Sequence, residues 1–400
     1  MNNIPEANTT INVLAGIIAV CVCTLTAKGL THLQFNRVKS SVFKDRLGCI
    51  DGLRGLLALG VFLHHYVITY HFHLTGKWTV PPSAFYTLTG QVSVAFFFMV
   101  TGFLFWNKIL ASQGKIHWLQ LYVSRIFRLV PLYWFVVTVI SILVLCIGGN
   151  TLRVSLLSLA KSIVMWLSFL ETPDINAFAK THLMVASVTW TLKYEWFFYL
   201  SLPILSILLK ADRKNKVFIW IFAVFIAWIS ILEMPISLVY LNINTKFFIY
   251  FLVGAVSASM STVDTYRARA QSKLASYLSI GCLLVLFMFF RNSYGEWQLL
   301  LMAIFFLCVS LGNSLFGILE LPSLVLLGEI SYSVYLLHGL LLYISFSIVF
   351  PSFMHANTSL FYVSLGMSIV GSLLVVFSWL TFSLLEMPFI EIGKKLRRTL

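Results

Sequence analysis

Eleven apolar runs, each close to the length a helix needs to cross a bilayer, dominate this chain. They lie near residues 11–30, 55–73, 91–107, 129–148, 188–209, 217–232, 246–260, 274–290, 297–311, 324–349 and 360–385. A membrane-spanning helix takes about 17–25 predominantly apolar residues. Inside lipid, every backbone N–H and C=O must be satisfied within the structure itself, which leaves helices as the natural form for such runs. The gaps between them are too short for a soluble domain, and no internal repeat is visible. Of the 400 residues, 59% are hydrophobic and 10% are charged. A soluble domain carries roughly 25% charged residues. Disorder and a soluble multidomain enzyme are therefore both excluded. The expected architecture is an all-α polytopic membrane protein with about eleven transmembrane helices.

Charge sets the orientation. The chain holds 28 Lys+Arg against 14 Asp+Glu, a formal +14. In a soluble protein that excess would suggest nucleic acid. Here the basic residues sit between the apolar runs, where they act as cytoplasmic topology signals, and no nucleic-acid partner is expected. Lys28, Arg37, Lys39, Lys44 and Arg46 place the first gap inside; Lys108, Lys115, Arg125 and Arg128 the next. Lys210, Arg213, Lys214 and Lys216 mark a third, Arg267, Arg269 and Lys273 a fourth, and Lys394, Lys395, Arg397 and Arg398 a basic tail. These agree if a shorter run at 155–170 does not cross but is re-entrant or interfacial. The N-terminus is then outside and the C-terminus inside. Residues 1–10 contain no Lys or Arg, so the first helix reads as a retained anchor and not a signal peptide. The expected organisation is an N-terminal anchor with its basic loop (1–45), a membrane domain (46–393) and the tail (394–400). The six cysteines lie in or beside apolar runs without zinc-ligand spacing. They read as small hydrophobes, and no metal is expected.

A few polar residues interrupt this pattern. Arg54 and His65 are eleven positions apart, within about 20° of three whole helical turns, and so share one face roughly 16 Å apart along the axis. Asp51 lies nearly on that face; His64 points about 100° away and reads as a core histidine. Ionisable groups inside a membrane are costly and default to function. A snorkelling anchor at Arg54 and a hydrogen-bonded core histidine at His65 are the plainer alternatives. Gly102 permits close helix approach. Arg125 and Arg128 stack at i, i+3 and suit a phosphate, which guanidinium groups grip in a bidentate manner, although a topology role also explains them. Pro131 should start or kink the following helix. Glu195 sits in an aromatic helix running from Trp190 to Tyr199. Lys193 points elsewhere, so a cation from another helix is its expected partner, as an ion pair or a catalytic assistant. Ser331, Tyr335 and His338 follow i, i+4, i+7 on one face. No GxSxG elbow, Walker motif or HExxH occurs, which argues against a standard hydrolase, an ATP-driven pump and a zinc protease.

Four of these motifs, in this order, resemble the membrane-bound acyltransferase-3 family of glycan O-acyltransferases. They are Arg54-to-His65, Arg125-x-x-Arg128, Trp190-x-Leu192-x-x-Glu195-x-x-Phe198-Tyr199, and Ser331-Tyr332 through His338. The resemblance runs from about Arg46 to Ile390. It implies a core of about ten helices, here with one extra N-terminal helix. It also implies acyl transfer from cytoplasmic acyl-CoA, most simply acetyl-CoA, to a hydroxyl on a glycan or lipid-linked glycan outside. No tightly bound cofactor is implied. Arg54 and His65 would be central, with Arg125 and Arg128 on the donor. Glu195 or His338 would orient His65 or bind the acceptor, and Trp190, Tyr199 and Tyr335 are expected substrate contacts. Some members carry a soluble esterase-like domain at the C-terminus. Its absence here suggests direct transfer or a separate periplasmic partner. The implied location is a bacterial cytoplasmic membrane. The rival from another class is a secondary transporter using the buried His, Glu and Arg groups as a relay, but neither the inverted repeats nor the paired broken helices of transporters are evident. A non-catalytic scaffold would leave the polar face unexplained.

Overall fold

The computed structural model describes residues 7–34, 48–112, 116–208, 235–238, 241–351 and 360–399. The expected span 217–232 and the basic residues Arg37, Lys39, Lys44, Arg46, Lys115, Lys210, Arg213, Lys214 and Lys216 lie outside them. The helices are α1 (Ala7–Gln34), α2 (Gly48–Thr75), α3 (Ala84–Ala111), α4 (Trp118–Ile147), α5 (Leu156–Leu167), α6 (Trp190–Leu208), α7 (Phe248–Met260) and α8 (Asp264–Ala270). They continue as α9 (Lys273–Phe289), α10 (Glu296–Ser310), α11 (Pro322–Glu329), α12 (Ser331–Tyr343), α13 (Leu360–Thr381) and α14 (Met387–Thr399).

Six helical stretches among the described residues are long and apolar enough to cross a membrane: Val13–His32, Gly48–Thr75, Ala84–Ala111, Trp118–Ile147, Ser331–Val349 and Phe361–Thr399. The pair Thr245–Met260 and Asp264–Ala270, bent by 112°, would make a seventh. The chain is thus a multi-pass membrane protein by length and composition. Eleven full crossings are not reached among the described residues. Helices α9 and α10 form where spans were expected and with the expected 17 and 15 residues; at about 26 and 22 Å they are shorter than a hydrocarbon core of about 30 Å and stand apart from the six long stretches. The 155–170 run gives the 12-residue α5, about 18 Å long, a length that suits an interfacial or re-entrant helix. Ser155 caps its first turn, accepting from the Ser158 amide.

Three local departures have simple causes. Pro235–Leu238 and Leu241–Asn244 form a short antiparallel hairpin, β1 and β2, in an otherwise helical fold. From Ile236 to Leu238 and from Leu241 to Asn244 apolar and polar residues alternate, the period of a strand. Helix α4 begins well before Pro131 and runs through it, so Arg125 and Arg128 lie within a helix and not in a loop. The single helix expected over 324–349 is broken at Ile330 into α11 and α12, and α12 ends in a π-helical turn, Ile344–Val349.

The chain divides into two compact units, residues 1–97 with 265–380, and residues 98–264 with 381–400. In the first, α2 is central and packs along α11 and α12. Glycines make the α2–α11 approach possible. A Cβ at Gly52 would run into the Leu319 carbonyl, one at Gly55 into the Leu324 carbonyl, and one at Gly328 into the backbone of Asp51. In the second unit α4 packs against α5 and α14, and α3 meets α7 through a reciprocal pair. Gly102 lies against the Phe251 backbone and Gly254 against that of Met99. The close approach expected of Gly102 is therefore made. Close backbone contact replaces the hydrophobic driving force that is missing between helices in lipid. Leu157, Leu274, Met288, Phe289 and Trp297 are among the large apolar side chains left on the outside, as a lipid-facing surface requires.

Candidate active site

The first unit brings two polar groupings onto α2. At its start, Arg54 Nη1 donates to Asp51 Oδ1 at 3.1 Å and Arg54 Nη2 to Ser331 Oγ at 2.8 Å. Both acceptors are held by the glycine contacts. Gly328 seats α11 against the backbone of Asp51, and the break at Ile330 makes Ser331 the first residue of α12. Arg54 is thereby tied across two helices, which a freely snorkelling side chain would not be.

Three turns further on, His65 Nδ1 lies 3.1 Å from the Val61 carbonyl and 3.2 Å from His338 Nε2. The two imidazoles face each other with ring centroids 5.0 Å apart. His338 is fully buried, whereas His65 is partly accessible. A carbonyl can only accept, so the Val61 contact selects the tautomer of His65 with the proton on Nδ1. That leaves Nε2 with a free lone pair. His338 Nε2 is placed to accept from the same Nδ1–H. Trp78 stacks near the His65 ring at 6.3 Å and 19°. Tyr335 packs edge-on against His338 at 5.9 Å and against Phe97 at 6.0 Å. His64 turns away as expected: its Nδ1 meets the Tyr86 carbonyl at 2.8 Å, and its ring fills the space over Gly90.

The second unit holds the other expected residues. Tyr199 Oη donates to Glu195 Oε2 at 2.7 Å, one helical turn away on α6. Arg125, from α4, lies within electrostatic reach of Tyr199, Glu195 and Arg128. Its guanidinium also sits over the Phe105 ring of α3, 5.0 Å from the centroid, a cation–π arrangement. Glu195 thus has the cation of another helix, Arg125, within electrostatic reach. Trp190 joins a separate aromatic group with Phe98, Tyr194 and Phe247.

Of the two residues considered for orienting His65, His338 is the one that touches it. Asp51 and Ser331 were marked in the sequence, one nearly on the Arg54 face and the other opening the motif that ends at His338, but neither was given a site role; Trp78 and Phe105 were not singled out at all. Those two carry no sequence signal, because their place depends on how a loop and a third helix pack. Among the described residues no group of three or more His, Cys, Asp and Glu side chains could hold a metal ion.

Residues 47–377 match the acyltransferase domain of the acyltransferase-3 family, and the chain belongs to that family. It is also similar to curated proteins named "Putative O-acetyltransferase" from Staphylococcus aureus strains COL, MSSA476 and N315, at 25% identity over 382 residues. The match covers 86% of this chain, which spans about 58% of the length of those relatives. No solved structure matches it.

Proposed function

We propose that this protein is a membrane O-acyltransferase that moves an acyl group, most simply acetyl, from cytoplasmic acyl-CoA to a hydroxyl of a cell-envelope glycan or lipid-linked glycan. Family membership supports the reaction class. The observation that carries the chemistry is the pair of contacts at His65 Nδ1, to Val61 O at 3.1 Å and His338 Nε2 at 3.2 Å, which leave Nε2 as a base.

In this reading, His65 Nε2 takes the proton of the acceptor hydroxyl as its oxygen attacks the thioester carbonyl. The C–S bond then breaks, and the imidazolium returns the proton to the departing thiolate. Such a base contributes about 10²–10⁴-fold. His338 accepts from Nδ1–H and steadies the imidazolium. Arg54, held by Asp51 and Ser331, lies roughly 16 Å along α2 from His65, about the reach of a pantetheine arm. Arg125 and Arg128 serve the donor phosphates. Glu195 and Tyr199 position Arg125, and Trp190 and Tyr335 shape the surroundings of the substrates. The proposed setting is a bacterial cytoplasmic membrane with the N-terminus out and the C-terminus in.

The test is CoA release from acetyl-CoA by inside-out vesicles supplied with polysaccharide acceptors, comparing the wild type with His65→Ala at matched expression. The proposal expects acceptor-dependent release, with acetyl recovered on the glycan, and its loss in the variant. Equal release in both would remove His65 from the chemistry. No release over a broad panel of donors and acceptors would favour a transporter.

A further inference from the structure

The loop that follows α2 turns back onto His65. Continued as a helix, α2 would carry residue 78 about 20 Å beyond His65 along the axis. The indole of Trp78 lies instead with its centroid 6.3 Å from the His65 imidazole, the two planes within 19° of parallel. Local chemistry makes the reversal. Helix α2 ends at Thr75. Gly76 then takes a left-handed φ of +70°, which glycine adopts without strain, and its amide donates to the Phe72 carbonyl at 2.8 Å. The Lys77 amide donates to Thr75 Oγ1 at 3.3 Å. Phe72 packs edge-on against the returning indole at 5.6 Å.

Two observations set Trp78 apart from an ordinary membrane-interface tryptophan. Such residues anchor at the headgroup level, whereas Trp78 is turned to an imidazole. A packed tryptophan usually finds an acceptor for its N–H, but the Trp78 indole donates to no other described residue. Both rings are half-buried, so neither seals the other. About 12 Å beyond His65 along α2, His73 Nε2 lies 3.4 Å from Ser347 Oγ, on the π-helical turn that follows α12. This end of α2 therefore joins an open aromatic face to polar groups, the mixture found in small-molecule sites.

We propose that Trp78 is the platform on which the acceptor's sugar ring lies, and that it selects a pyranose over an acyclic alcohol. This rests on the reading of His65 as the base. The C–H face of a pyranose packs on an aromatic face, while its equatorial hydroxyls project from the edge of the ring. Laid on the indole, the sugar turns one edge hydroxyl towards His65, and the indole N–H donates to another oxygen of the acceptor. An acyclic chain offers no such face.

The test measures acetyl transfer from acetyl-CoA by the full chain in nanodiscs, where both faces are open. The acceptors are methyl hexopyranosides and short pyranose oligosaccharides, each set against the matching alditols. The wild type should show a kcat/KM at least about tenfold higher for the pyranosides, the upper scale of one aromatic packing contact. Trp78→Ala should raise the pyranoside KM by about tenfold and leave kcat and the alditol KM nearly unchanged. Trp78→Phe should keep most of the preference. Lys77→Gln, exposed on the same loop, is the control, and thermal unfolding of each variant separates misfolding from lost binding. Equal use of pyranosides and alditols by the wild type, or a preference that survives Trp78→Ala, would overturn the platform while acyl transfer stands. If Trp78→Ala lowers kcat on every acceptor and speeds acceptor-independent CoA release, Trp78 shields the base from water and the platform is again overturned. If folded wild type acetylates neither set, the platform and the glycan-acceptor reading fall together.

Discussion

Replacing His338 by alanine should slow the reaction without weakening substrate binding. The argument starts from the 3.2 Å separation between His338 Nε2 and His65 Nδ1 and from the complete burial of His338. In the ground state this is a contact between neutral rings, worth about 0.5–1.5 kcal/mol. When His65 takes the acceptor proton it becomes an imidazolium, and Nδ1–H becomes a charged donor. Hydrogen bonds to charged groups are worth about 1.5–3 kcal/mol, and each 1.36 kcal/mol is about a factor of ten in rate. The full loss would be about 10–150-fold. Because the Val61 carbonyl at 3.1 Å remains as an acceptor, the expected fall in kcat is about 10–30-fold. It should be smaller than the loss in His65→Ala. KM should hardly move, since the interaction strengthens only in the transition state. A buried truncation also leaves a cavity, so His338→Gln is made alongside. Its amide oxygen can accept from Nδ1–H and should restore activity to within several-fold of the wild type. The assay is acceptor-dependent CoA release at matched folded protein, with unfolding temperatures measured for each variant. A His338→Ala kcat within threefold of the wild type would refute the reasoning. A loss as deep as that of His65→Ala would place His338 in the proton transfer itself.

Ser331→Ala removes the 2.8 Å bond to Arg54 and should lower kcat/KM by about tenfold, the low end for a charged hydrogen bond; Ser331→Thr should not, and steady-state kinetics decide. Gly52→Ala and Gly328→Ala each drive a methyl into backbone across the α2–α11 contact, costing about 1–3 kcal/mol. Both should unfold at lower temperature in detergent, whereas Gly281→Ala, which meets open space, should not. Tyr199→Phe deletes the hydroxyl that donates to Glu195, within electrostatic reach of Arg125. It should cost about 1–3 kcal/mol, seen as a raised KM for acyl-CoA and a lower unfolding temperature; unchanged values of both would show that the Arg125 position does not depend on it.

Much of the fold was legible along the chain because lipid leaves few options. An apolar run of sufficient length has to be helical, so α1 to α4 and the stretches at 331–349 and 361–399 appear where hydropathy places them. The runs at 274–290 and 297–311 likewise give helices of matching length, 17 and 15 residues. The break at Ile330 was hidden, because hydropathy marks solubility in lipid and not where hydrogen bonding stops: α11 and α12 are equally apolar on both sides of it.

The candidate site divides the same way. Helical periodicity alone places Arg54 and His65 on one face of α2, and Ser331, Tyr335 and His338 on one face of α12, because both relations lie within a single helix. For Glu195 the primary structure asked for a cation from another helix or a shifted protonation equilibrium. It did not choose His338 as the neighbour of His65, nor Ser331 as the partner of Arg54. Those contacts join residues hundreds of positions apart, and they exist because Gly52, Gly55 and Gly328 let two backbones touch. One-dimensional pattern determines which residues share a helix face. Only packing in three dimensions, governed by where side chains are small enough to permit contact, decides which faces meet.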